Sequence, residues 1–107
     1  MFQFYFVHLT PNLSFITFKI KNMKIELINE IAEGAILLTG YEDCIVGFSE
    51  EFGAETRVVY SKDKIINKLV MEDNMSEEDA LEHFYYNIAG GHYGERDPIF
   101  LTSFEDL

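Results

Sequence analysis

A single cysteine, two prolines, no tryptophan and only eight lysines and arginines against nineteen aspartates and glutamates mark this 107-residue chain. Cys44 has no second cysteine to pair with, so no internal disulfide braces the fold, and a reducing cytoplasm is the expected compartment. It sits in the apolar run Cys44-Ile45-Val46, which predicts a buried thiol acting as a small hydrophobe. No apolar run is long enough to span a bilayer. No basic segment precedes the apolar N-terminal residues and no small-residue cleavage site follows them, which argues against a secretory signal. Phosphate loops, nucleophile elbows and paired-cysteine metal spacings are also missing, so no enzyme signature stands out.

What remains is acidic and apolar. A hydrophobic share of 48% and an aromatic share of 15% belong to a chain that packs, and its length suits one domain. The formal charge of −11 repels nucleic acid and anionic membranes and favours basic protein partners. Its distribution is uneven: residues 1–22 carry +2, from Lys19 and Lys21 with no acid, leaving −13 on residues 23–107.

Two readings suit residues 1–22. Phe2, Phe4 and Phe6, then Ile16, Phe18 and Ile20, alternate about Thr10-Pro11-Asn12, as in a β-hairpin. Alternatively translation begins at Met23 and this aromatic leader is a start-site artefact. Lys24 to Leu27 alternates as a short strand, whereas residues 28–39 fit either helix or buried strand, ended by Gly40. Residues 44–48 and 57–60 read as antiparallel strands joined by a glycine-containing loop, with Gly47 expected at a bulge. Ser61 caps a helix directing Ile66, Leu69 and Val70 inward, and Asp73-Asn74 breaks it. Ser76 caps the next, where Leu81, Phe84, Tyr85 and Ile88 form an apolar stripe and Gly90-Gly91 supplies a left-handed stop. Residues 98–101 return as an edge strand. The fold expected for residues 23–107 is therefore a single α+β domain, an antiparallel sheet with two consecutive helices on one face.

The strings GYEDCIVG, VVYSKDKII and MSEEDALEHFYYNIAGGHYGERDPIF, within Gly40 to Leu101, resemble a group of small acidic bacteriophage and prophage proteins. The resemblance implies a cytoplasmic accessory protein and carries over no catalytic residue. The matching positions, Gly40, Asp43, Gly47, Tyr60, Glu78, Asn87, Gly90, Gly94, Glu95 and Pro98, are mainly those that caps and turns demand. Small acidic phage proteins include inhibitors of host defence, anti-CRISPR proteins among them, and of nucleic-acid enzymes.

Three groups of polar residues compete as a site. His92, Tyr93, Glu95, Arg96 and Asp97 gather acid, base and guanidinium in one loop, which suits either a small enzyme or a solvated turn with Arg96 paired locally to Glu95 or Asp97. His83 and His92 with Cys44 lack the spacing of metal ligands, so neither metal nor cofactor is expected. Glu72, Asp73, Glu77, Glu78, Asp79 and Glu82, joined by Glu95 and Asp97, form an acidic array that suits either a solvated face with its first-turn acids favouring the helix dipole or a binding surface. On the second reading the array imitates a nucleic-acid backbone, and the expected partner is a host protein with a basic nucleic-acid-binding groove, not nucleic acid or membrane. A homodimer burying Tyr85 and Tyr86 is a third reading.

Overall fold

Ser61 and Ser76 set the two central helices. Each hydroxyl accepts a hydrogen bond from the amide three residues on, Lys64 at 3.2 Å and Asp79 at 3.1 Å, satisfying a donor that the first turn leaves unpaired. The computed structural model describes residues 13–91 and 94–107, and residues 13–21 as helical backbone only. In chain order these form α1 (Leu13–Ile31), β1 (Ile45–Phe48), β2 (Val58–Ser61), α2 (Lys62–Glu72), α3 (Glu77–His83, continued by a π-helical turn Phe84–Ala89) and β3 (Ile99–Leu101).

The fold is α+β, and its three-stranded sheet is mixed, in the order β1-β2-β3. β1 and β2 pair antiparallel, with the register slipping between Ile45 and Gly47 so that Val46 is the extra residue of a bulge at the expected glycine. β3 pairs with β2 in parallel, Tyr60 opposite Phe100, which corrects the expected all-antiparallel sheet. The reason is topological: two helices intervene between β2 and β3, long enough to carry the chain back to the end where β2 began. Such a crossover leaves no local signature in residues 98–101.

Val58 and Tyr60, two apart on β2, turn one face of the sheet to the core. Ile65 and Leu69 of α2 and Ala80, Phe84 and Ile88 of α3 and its π turn pack into the same cluster. Each of the large members contributes about 1.5–3 kcal/mol by leaving water. Phe100 joins edge-to-face with Phe84, ring centres 5.1 Å apart. The Tyr60 hydroxyl, fully buried, accepts the Leu38 amide at 2.8 Å and so ties the irregular segment 35–38 to the core.

The N-terminal half departs most from expectation. Residues 13–31 are one helix, so the second strand of the leader hairpin (Ile16 to Ile20) and the short strand at Lys24 to Leu27 do not form; the first strand, Phe2 to Phe6, lies outside the described residues. Over nineteen residues the apolar positions recur at three and four, and that period outweighs short alternating stretches. The helix runs unbroken across the boundary expected at residues 22 and 23 and ends near Gly34, which takes φ +86°, rather than continuing to Gly40. Residues 35–38 are neither helix nor strand.

Candidate functional site

α3 follows from a serine cap, three acids in the first turn that favour the helix dipole, and a buried stripe of Ala80, Phe84 and Ile88. That stripe corrects the expected one: Leu81 and Tyr85 are 40% and 50% exposed. At 100° per residue Glu78, Asp79, Glu82, Leu81, Tyr85 and Tyr86 all fall on the side away from Ala80, so carboxylates and tyrosines interleave on one surface. Tyr86 is 78% exposed. Asp79, Glu82, His83, Tyr86 and Asn87, with Met75 beneath, line an open groove of about 310 Å³, and Asn87 Nδ2 lies 3.0 Å from His83 Nδ1.

The π turn holds the tyrosines there. Its wider ring keeps Phe84 and Ile88 in the core while Tyr85, Tyr86 and Asn87 all face solvent. Lys62 donates to the Tyr85 hydroxyl at 2.8 Å, bracing it from α2. Gly90 closes the turn in ordinary right-handed geometry, φ −76°, not in the expected left-handed one. Glycine serves here for closeness, since a Cβ would stand 2.8 Å from the Tyr85 carbonyl oxygen.

The eight acidic residues read as partner-binding fall into three places. Glu77, Glu78, Asp79 and Glu82 are exposed on α3. Glu72 and Asp73, at the end of α2, belong to a ledge with Tyr41 and Asp43, where Lys68 reaches Glu72 at 3.2 Å and Asp43 at 3.1 Å. A basic residue therefore stands among acids that look unbroken in the sequence. Burial pushes the Asp43 carboxyl up, but the Lys68 hydrogen bond and charge outweigh it and hold the group below its usual range. Cys44, beside Asp43, has its thiol pushed up to about 11 by burial and by that carboxylate, which leaves it protonated and unreactive at neutral pH.

Glu95 and Asp97 stand apart, in a turn clasped to other loops. Arg96 donates to the Thr56 carbonyl at 3.1 Å and pairs with Glu55 at 3.4 Å, so its ion pair is long-range and not the local one expected. Arg57 Nε donates to the Asp97 carbonyl at 2.8 Å, and the Arg96 carbonyl accepts the Ile36 amide. These bonds make the turn a fastening between three connections. His92 and Tyr93, the remaining members of the proposed enzyme loop, lie outside the described residues. Among the described residues no three His, Cys, Asp or Glu side chains are grouped to hold a metal ion.

No known relative bears on this surface. No protein-family model, curated protein or solved structure matches the chain. Among the described residues no helix is long and apolar enough to cross a membrane. What the expected core stripe misplaced at the α3 face is Leu81 and Tyr85, which are exposed, while Ala80 takes the buried position.

Proposed function

We propose that this protein is a non-catalytic, phage-encoded inhibitor that acts in the host cytoplasm by occupying the basic nucleic-acid-binding groove of a host protein with the outer face of α3. One observation carries this reading: Glu78, Asp79 and Glu82 share that face with Leu81, Tyr85 and Tyr86. Spaced carboxylates meet lysines and arginines that otherwise hold phosphates, and tyrosines offer flat, amphipathic surface of the kind that dominates interface energetics. A net charge of −11 adds long-range attraction to a basic groove. The phage origin rests on the motif resemblance between Gly40 and Leu101. The enzyme reading is weaker because the Arg96 guanidinium, one of its elements, is engaged in holding loops together.

The test is capture of bound proteins from a bacterial lysate, followed by competition with the captured protein's own DNA or RNA. Release by the nucleic acid is the expected result. A complex indifferent to saturating nucleic acid contradicts occupation of that groove.

A further inference from the structure

The groove of about 310 Å³ on α3 has a narrower chemistry than the face around it. Asp79, Glu82 and Tyr86 succeed one another at three and four residues, so two carboxylates and a phenol ring stand in one row, beside His83 and Asn87 in the next. Tyr86, 78% exposed, contributes no core packing and offers its ring to the groove. Asn87 Nδ2 is engaged with His83 Nδ1 at 3.0 Å, which leaves the Asn87 amide oxygen as a third acceptor. None of the six lining residues is a lysine or an arginine, while Lys62 and Lys68 of α2 are engaged with the Tyr85 hydroxyl and with Asp43 and Glu72.

Acceptors beside a flat ring select a flat cation with several donors. A lysine ammonium is a compact, strongly hydrated point charge. A guanidinium holds five N–H donors in one plane, is more weakly hydrated, and stacks on an aromatic face while its edge meets carboxylates. The same two carboxylates repel a phosphate or any other anion. The groove's volume lies at the low end for small-molecule sites, which suits a single long side chain better than a length of main chain. We propose that this groove seats one arginine side chain of the partner protein, its guanidinium lying against the Tyr86 ring with its edge toward Asp79 and Glu82. This inference rests on the reading of the α3 face as the surface that enters a basic groove, and it names the side chain that this part of the face meets.

Titration of the isotope-labelled full chain with N-acetylarginine amide, followed by NMR at low ionic strength, tests it with no host protein present. N-acetyllysine amide, of the same charge, is the control. The expected result is saturable shifts confined to residues 75–87, with the arginine compound bound at least about threefold more tightly than the lysine one. Tyr86→Leu, at an exposed position, weakens the arginine compound about threefold to fivefold with an unchanged circular dichroism spectrum, whereas Tyr86→Phe keeps the ring and the affinity. Glu82→Gln weakens it about threefold. Absence of saturable shifts, shifts spread over the whole acidic surface, equal binding of the two compounds, or a Tyr86→Leu variant that binds like the original overturns the proposal. The two readings fail separately. A chain blind to the arginine compound yet displaced from a captured host protein by nucleic acid loses the arginine seat and keeps the inhibitor function; one that takes the arginine compound but captures no such protein does the reverse.

Discussion

Ser76, Gly90 and Tyr60 each answer one physical demand of their place in the fold. The Ser76 hydroxyl satisfies the Asp79 amide, so Ser76→Ala lowers stability by about 1 kcal/mol in chemical denaturation, and an unmoved midpoint would disprove the cap. Gly90 has a backbone carbonyl where a Cβ would go. Gly90→Ala therefore costs about 1–3 kcal/mol, whereas Gly47→Ala, with nothing within 4 Å of its Cβ, stays near neutral. If the two glycine variants unfold alike, close approach is not what Gly90 serves. Tyr60→Phe leaves the Leu38 amide without its partner and costs about 1–2 kcal/mol by the same measurement.

At the scale of elements, the clasp around Arg96 joins segments 34–36, 55–57 and 94–97 without any regular structure of its own. Arg96→Ala removes the donor to Thr56 and the partner of Glu55. The expected outcome is faster amide exchange in residues 34–38 and 55–57 with α2 and α3 still protected; uniform exchange across the chain would contradict a local role. The elements also show what was readable beforehand. Caps at Ser61 and Ser76, the break at Asp73-Asn74 and the bulge at Gly47 are local events written in a few residues, and the structure has them. α1 was obscured because Ile16-Phe18-Ile20 and Lys24 to Leu27 alternate over short spans, and only the whole nineteen-residue period favours the helix. The direction of β3 depends on where two helices return the chain, and the long-range bonds of Arg96 depend on loops forty residues apart, neither of which a local pattern contains. Of the acidic array, the α3 members were legible as one face by helical spacing. The division of Glu72 and Asp73 from Glu95 and Asp97 was not.

For the whole molecule, eleven excess negative charges act on a small fold. Added salt screens their repulsion and raises the thermal midpoint. Two carboxyls give the pH dependence its sign. Burial, and then the neighbouring Asp106, raise Asp63 above its usual value, so the folded state takes up that proton more readily than the unfolded one, and its contribution grows as pH falls through the folded value toward about 4. Asp43 is held low in the folded state, so its contribution is present above about pH 4 and is lost as pH falls further, through its folded value. Asp63→Asn and Asp43→Asn therefore change the pH dependence of the thermal midpoint in opposite senses on the acid side, and variants that change it in the same sense would contradict this assignment.

The claim that the α3 face substitutes for a nucleic-acid backbone is tested most directly by the salt dependence of binding to the captured host protein. The measurement compares the original chain with Glu77→Gln/Glu78→Gln/Asp79→Asn/Glu82→Gln, a variant first shown by circular dichroism to be folded. The account predicts that log Kd rises linearly with log salt for the original protein, and that the variant binds more weakly with a shallower slope. A folded variant with the same affinity and the same slope would contradict it.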